Sequence, residues 1–305
     1  MNIYAFSARL AWPMNLLFAL IFVFSINASA QTPAASDQPD PKVTSKSSPE
    51  KRFIINLLKD QRAIWTSPFH WGRSDAKWLA PLGFSTIALI ATDRHTSGAL
   101  VEHGDNLSRL RISKDISRGG AFYSTAGTAG VLYLVGRAAH NDRLRETGLL
   151  GMEALIDSSI VVTALKTASQ RQRPPTDHSS GEFFDGGSSF PSGHAIAAWS
   201  LATVIAQEYG HHRPFVQVGA YGLASAISLS RYTGRNHFLS DVLVGSAMGY
   251  GIGRLVYHKH HDPALDAQNE KQHARDFVRS RLFPSLAPLY YPRGHVYGGT
   301  LAWNF

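Results

Sequence analysis

His237 and Asp241 stand four residues apart in the stretch that runs from Ser230 and Arg231 to Asp241. At a helix start that spacing lets the carboxylate reach one ring nitrogen and leaves the other lone pair free. An imidazole held this way is an oriented nucleophile. The same spacing also occurs as a plain structural contact. A second histidine, His194, closes the sequence Pro191, Ser192, Gly193, His194 after a loop rich in Gly, Ser and Asp. A helix starting there leaves backbone N–H groups unpaired. Gly193 carries no side chain to cover them and Ser192 adds a hydroxyl, so the turn makes a small oxyanion cradle. The third pattern is the basic pair Lys166 and Arg173, seven residues apart at the end of an apolar segment and followed by Pro174 and Pro175. On one continuous helix the pair stacks on one face about 10.5 Å apart along the axis, with the prolines ending the helix. Each pattern alone has a structural explanation: a solvated basic helix end, a helix-start histidine, an i,i+4 contact. Lys166 and Arg173 have side chains long enough to lean toward one anion, and the turn at Gly193 offers an oxyanion a cradle.

Composition narrows the chemistry. The 305 residues contain no cysteine, which removes disulfides, thiolate metal sites, iron–sulfur clusters and cysteine nucleophiles. A formal charge of +8 favours an anionic partner without choosing among nucleic acid, lipid headgroup and phosphate ester. With 44% hydrophobic and 17% charged residues the balance is that of a globular chain. A mean hydropathy of -0.12 argues against a chain made chiefly of long lipid-facing helices.

The ordered set K-x6-RP, PSGH and SR-x5-H-x3-D resembles the signature of the phosphatidic acid phosphatase type 2 (PAP2) superfamily. That group includes lipid phosphate phosphatases, bacterial class A acid phosphatases and vanadium haloperoxidases. Every defining position is matched, by Lys166, Arg173, Pro174, Pro191, Ser192, Gly193, His194, Ser230, Arg231, His237 and Asp241. The resemblance covers about residues 76–257. It implies a phosphoric ester hydrolase in which His237 attacks phosphorus and forms a phosphohistidine, and Asp241 orients it. His194 would protonate the leaving oxygen and later activate water, while Lys166, Arg173, Ser192, Gly193 and Arg231 bind the phosphoryl oxygens. No metal and no cofactor are implied, because three fixed cations supply the positive charge. Vanadate would act as an inhibitor. A vanadium-dependent haloperoxidase is the alternative in the same pocket, with vanadate as its cofactor, and a non-specific periplasmic acid phosphatase acting on soluble esters is another. The partner is then a phosphate ester, in the preferred reading a lipid phosphate or diphosphate, and not nucleic acid.

These motifs need helices to position them. Six apolar segments rich in Ala, Leu and Gly, at about 76–92, 121–139, 147–168, 193–209, 214–230 and 239–257, exceed the length of ordinary strands and predict an all-α bundle of six core helices. Gly245, Gly249 and Gly253 form two overlapping Gly-x-x-x-Gly steps on the sixth, where another helix can approach closely. The domain is placed at residues 51–257, opening with an amphipathic segment from Arg52 to Trp65. Residues 258–305 are read as a basic tail, in which His258, His260, His261 and Asp262 are solvated rather than metal-binding. Odd-numbered Tyr297, Leu301, Trp303 and Phe305 alternate as on a strand, so a terminal strand or hairpin is expected there.

Residues 1–30 read as a signal peptide, with Arg9, an apolar run from Leu10 to Ile26 and the small-x-small triplet Ala28, Ser29, Ala30. Residues 31–50 read as a flexible linker. An exported, periplasmic enzyme follows, soluble or membrane-associated, with an integral inner-membrane protein as the alternative. Three further groups are read from position. Glu153 and Asp157 pair with basic residues or across the bundle. Trp65, Phe69, Trp71 and Trp78 are read as core residues, with a lipid-facing interface as the alternative that favours a lipid substrate. His178, Asp177, Phe183, Phe184 and Asp185 line the leaving-group side.

Overall fold

Helices carry the chain wherever the sequence is apolar and rich in small residues. The computed structural model describes residues 49–102, 107–174, 181–210, 213–267, 285–291 and 296–302. The expected signal peptide, nearly all of the linker, and Pro175, Asp177, His178, Trp303 and Phe305 lie outside these residues. Among the described residues the α-helices are α1 (Pro49–Thr66), α2 (Arg73–Glu102), α3 (Leu107–Arg118), α4 (Phe122–Ala138), α5 (Asp142–Ser169), α6 (Gly193–Gly210), α7 (Pro214–Thr233) and α8 (Leu239–His260). A short 3-10 turn, Ser67–His70, separates α1 from α2. The chain is all-α, as the six apolar segments predict, and each segment falls on a helix.

Local chemistry sets several of the boundaries. Asn141 caps α5 by accepting the amide of Leu144 at 2.9 Å, and Pro214 starts α7 where a missing N–H costs nothing. At the start of α8 the Asp241 carboxylate reaches back to accept the amide of Phe238 at 3.0 Å. α5 differs from expectation at its other end. It stops at Ser169, because Gln170 turns into the left-handed region (φ 43°), so Pro174 plays no part in ending it. Lys166 and Arg173 are therefore not stacked on one helix face: Lys166 lies in the last turn and Arg173 on the segment beyond.

α6 is the centre of the bundle. Ala198, Leu201, Ala202 and Ile205 pack with Ala129 and Leu132 of α4, Leu144 and Leu155 of α5, and Ala220, Ala224 and Ile227 of α7. Its other side, with Ile196 and Val204, packs with Leu150, Ala154 and Val161 of α5 and Ile252 and Val256 of α8. The glycine row of α8 faces this central helix. A Cβ at Gly249 would stand 2.4 Å from the carbonyl oxygen of Ile196, and one at Gly253 would stand 2.5 Å from that of Ser200. The row is what lets the two backbones touch.

Two parts of the first unit depart from the sequence reading. α3 falls in a polar stretch that carries no apolar run, and it buries Ser113 and Ser117. Residues 258–261 are not a solvated tail: α8 continues through His260, and the compact unit runs to His261. Lys259 and His260 bond to Asp60 of α1, and His261 bonds to Glu146 of α5. The second unit, Asp262–Phe305, holds an antiparallel hairpin of β1 (Ser285–Tyr291) and β2 (Val296–Ala302), as the alternation predicts. Tyr297 pairs with Tyr290 and Leu301 with Leu286.

Candidate active site

Two helix ends and one turn between helices meet around His237. The first is the C-terminal turn of α5, which carries Lys166. The second is the start of α6 at Gly193 and His194. The third is the turn from Arg231 at the end of α7 to Asp241 at the start of α8. In that turn the Arg231 carbonyl accepts the amides of Asn236 (3.0 Å) and His237 (3.2 Å), which fixes the histidine relative to the arginine. The start of α6 is tied to the start of α8 by the amide of Ser192, which donates to the carbonyl of Asp241 at 3.0 Å. All three motifs therefore sit in one place, as their chemistry requires.

His237 is buried, 2% exposed. Its Nδ1 lies 3.6 Å from Asp241 Oδ2 and 3.4 Å from the Ser189 hydroxyl, which leaves Nε2 as the nitrogen these groups do not engage. Burial pushes the imidazole down to about 4, against the opposing pull of Asp241, so it is neutral at neutral pH. Burial raises the Asp241 carboxyl, but bonds from His237 and Ser189 and the charge of Arg171 together hold it below the ordinary carboxylate range.

The cations crowd the opposite side of the site. Burial and the proximity of Arg173 push Lys166 down to about 8, and the same two causes push Arg231 down to about 10. Burial, then Arg231, His237, Lys166 and Arg173, push His194 down to about 3. Positive groups press on one another here, and the Asp241 carboxylate offsets them only in part. Two buried polar atoms have no hydrogen-bond partner among the described residues: the hydroxyl of Ser192, whose side chain is fully buried, and Nε of Arg231. Arg231 Nη1 is steadied by the Ser117 hydroxyl of α3, and Lys166 and Arg173 both contact Ser188, through its carbonyl and its hydroxyl. A Cβ at Gly193 would stand 3.9 Å from Cε of Lys166, so the open start of α6 faces the lysine. Unpaired donors, converging cations and an uncovered helix N-terminus suit a tetrahedral oxyanion.

Sequence reasoning missed the group that holds Asp241. Arg171, 1% exposed, donates to Asp241 Oδ1 at 2.6 Å, to the Ser240 hydroxyl at 2.7 Å and to Asp93 of α2 at 2.9 Å. Its guanidinium lies between the rings of Phe183 and Phe238, 4.7 and 4.4 Å from their centroids. Phe183 is thus a packing residue beneath Arg171. Phe184 is exposed, and Asp185 bonds the Gln172 side chain. The signals available were a second arginine between Lys166 and Pro174 and a lone acid, Asp93, directly after an apolar run. Neither states what it pairs with. The four aromatics expected in the core are also placed otherwise: Trp65, Phe69, Trp71 and Trp78 are all exposed. Glu153 and Asp157 do pair across the bundle, but with the amides of Asn56 and Gln61 rather than with basic side chains.

A family model described as the PAP2 superfamily matches residues 147–264, the segment that carries every site residue named above except Asp93 and Ser117. Over 129 residues the chain is 34% identical to a decaprenylphosphoryl-5-phosphoribose phosphatase of Mycobacterium tuberculosis, covering 41% of this chain and 68% of that protein. Over 69 residues it is 42% identical to a lipid A 1-phosphatase of Porphyromonas gingivalis, covering 23% of this chain and only 16% of that much longer relative. Among solved structures, it is similar to a transmembrane PAP2 type phosphatidylglycerolphosphate phosphatase from Bacillus subtilis. The TM-score is 0.44 and the identity 22%, over 69% of this chain and 94% of the other. Aquifex aeolicus LpxE gives a TM-score of 0.42 at 19% identity, over 54% of this chain and 93% of the other.

Proposed function

The chain belongs to the PAP2 superfamily, and from that premise we propose that it is a lipid phosphate phosphatase that works through a phosphohistidine. The observation that carries this reading is the cluster of Lys166, Arg173 and Arg231 beside a neutral, buried His237 whose Nδ1 is engaged by Asp241 and Ser189. A phosphoryl group bound between Lys166, Arg173, Arg231, the Ser192 hydroxyl and the Gly193 amide places phosphorus within reach of Nε2. Nε2 attacks, the P–O bond to the leaving group breaks, and the positive charge that develops on the ring is balanced by Asp241. The three cations neutralise the equatorial oxygens, so the reaction runs without a metal at phosphorus.

His194 supplies the proton for the leaving oxygen. Before substrate binds it is held neutral by burial and by the surrounding positive groups. A bound phosphate dianion offsets those cations, so substrate binding itself raises the His194 pKa and loads the acid. Once the alcohol has left, the same imidazole takes a proton from the water that attacks the phosphohistidine. The apolar side chains exposed on α1 and α2, and the phosphorylated lipids in the names of the relatives, support a lipid ester or diphosphate as substrate. An export signal on residues 1–30 would place this chemistry outside the cytoplasm, in the periplasm and against a membrane.

The test is rapid-quench trapping. Wild type mixed with a labelled phosphate ester gives an acid-labile, base-stable phosphoprotein, and His237→Ala gives none and loses turnover by about 10⁴-fold or more. A His237→Ala protein that still accumulates the phosphoprotein would remove His237 as the nucleophile.

A further inference from the structure

Far from the phosphoryl site, a second group of titratable side chains has no part in the proposed reaction. Asp60 of α1, Glu153 and Asp157 of α5, and Lys259 and His260 of α8 come together inside the bundle. Glu153 lies thirteen residues before Lys166 and His260 nineteen after Asp241, which puts the cluster about 20–28 Å from the active site along those helices. One ligand atom each from Asp60, Glu153 and His260 lie within 4.8 Å of one another. Asp60 Oδ2 is 2.7 Å from His260 Nε2, and Asp60 Oδ1 is 3.3 Å from Lys259 Nζ.

The two acids of α5 are half satisfied. Glu153 Oε1 accepts from Asn56 at 3.0 Å, and Asp157 Oδ1 accepts from Gln61 at 2.9 Å. The other oxygen of each, Glu153 Oε2 and Asp157 Oδ2, is buried and has no hydrogen-bond partner among the described residues, although the residues are only 2% and 0% exposed. Three carboxylates face one lysine and one histidine, leaving the group short of positive charge. Orphaned carboxylate oxygens in a dry interior are costly, and protein interiors meet that cost with a proton or a cation.

We propose that this cluster is a structural site for a divalent transition-metal ion of the Zn²⁺ or Mn²⁺ class, bound by Asp60, Glu153 and His260 with Asp157 beside them. Imidazole plus carboxylate oxygens is the donor set such ions take, and Asn56 and Gln61 hold the carboxylates from behind as outer-shell amides do. The ligands come from α1, α5 and α8, so the ion staples the first helix to the bundle. The neighbouring cluster of Glu146, Glu208 and His261 looks similar but answers its own charge: Arg143 Nε donates to Glu208 Oε1 at 2.9 Å. In the first cluster the lysine pairs with Asp60 alone, and among the described residues no Lys or Arg forms an ion pair with Glu153 or Asp157.

The full chain, purified without a histidine tag and stripped with EDTA, is dialysed against Zn²⁺ or Mn²⁺ alone. Bound metal is then counted by elemental analysis and thermal unfolding is followed. Wild type takes up about one ion per chain, and saturation raises Tm by about 5–10 °C. Asp60→Asn and the isosteric Glu153→Gln take up none at this site and melt at one temperature with or without metal. Uptake far below one ion, uptake that survives both substitutions, or binding that leaves Tm unchanged would each overturn the proposal, with protonated carboxyls then filling the place of the ion. Turnover of stripped wild type at 25 °C reads the phosphoryl site separately, and it persists whether or not the metal site exists.

Discussion

At the scale of the residue, the active site is a balance of charges that titrate within reach of ordinary buffers. On the proposed mechanism His237 must be neutral in the free enzyme to attack, and burial places its pKa at about 4; Lys166 must be protonated to bind, and burial with Arg173 places it at about 8. For the histidine, activity is lost as pH falls through its folded value. For the lysine, activity is lost as pH rises through its own. Affinity for vanadate, which engages His237 and the cations but needs no proton from His194, should therefore be bell-shaped with limbs near 4 and 8 once corrected for the oxyanion's own ionisation, and Lys166→Arg should move only the alkaline limb upward. An alkaline limb that stays near 8 in that variant would place it on another group. Arg171 belongs to the same scale, for it is a positioning residue that reaches the reaction only through Asp241. Arg171→Met leaves Asp93 and Asp241 as unpaired buried charges, a loss of about 3–5 kcal/mol that lowers Tm. Ser189→Ala is gentler: it removes the hydroxyl shared by Asp241 and His237, and should lower kcat by about tenfold while KM and Tm hold. A larger change in KM than in kcat would mean that Ser189 serves binding instead.

At the scale of the element, glycines on α8 make opposite predictions according to the face they occupy. A methyl group at Gly249 would press into the backbone of Ile196, whereas one at Gly251 meets nothing within 4 Å. Gly249→Ala should cost about 1–3 kcal/mol by forcing α6 and α8 apart, and Gly251→Ala should gain up to about 1 kcal/mol from helix propensity. Thermal or denaturant unfolding of the pair checks both signs, and a neutral Gly249→Ala would show that the helices part without cost. The row of three glycines was legible in the sequence because its meaning is local, a repeat of four on one helix. The six apolar helices were legible for the same reason. What could not be read depends on partners distant in the chain. α5 ends at Ser169 because the returning loop satisfies its last groups: Phe184 N donates to the Ser169 carbonyl and Gly187 N to that of Gln170, at 2.8 Å each. α3 is polar because its task is to present Ser117 to Arg231 and Ser113 to Thr233, more than a hundred residues away. In the same way the motif residues of the site announced themselves by spacing, while Arg171 and Asp93, seventy-eight residues apart, gave no sign of each other.

At the scale of the whole molecule, the exposed surface is too apolar for water alone. Large apolar side chains point outward from α1 (Ile54, Leu58), from α2 (Trp78, Phe84, Ile87) and from α7 (Phe215, Val218), and the aromatics that precede the bundle join them. Among the described residues one helix, α5, is long and apolar enough to cross a membrane, and half of its apolar stretch is buried inside the bundle. Exposed apolar side chains occur on α5 itself (Ile160) as well as on α1, α2, α4 and α7, and nothing in the described fold covers them. An anionic lipid surface fits both that apolar surface and the formal charge of +8. Attachment of this kind is chiefly hydrophobic, so the protein should stay with membranes through a wash in about 1 M salt, where exposed charges are screened beyond a few ångströms, and leave only in detergent. The same surface bears on substrate choice. On the proposed function the polar phosphoryl cradle does not distinguish leaving groups, and discrimination falls to the exposed apolar faces. kcat/KM for phosphatidate in mixed micelles should accordingly exceed that for a soluble alkyl phosphate by roughly 100-fold or more, a difference of only about 2.7 kcal/mol in transition-state binding. Trp78→Ser with Phe84→Ser should erode that ratio while leaving turnover of the soluble ester unchanged, since neither side chain belongs to the cradle. A soluble ester hydrolysed as well as phosphatidate by the wild type would turn the reading from a lipid phosphatase to a scavenging acid phosphatase built on the same site.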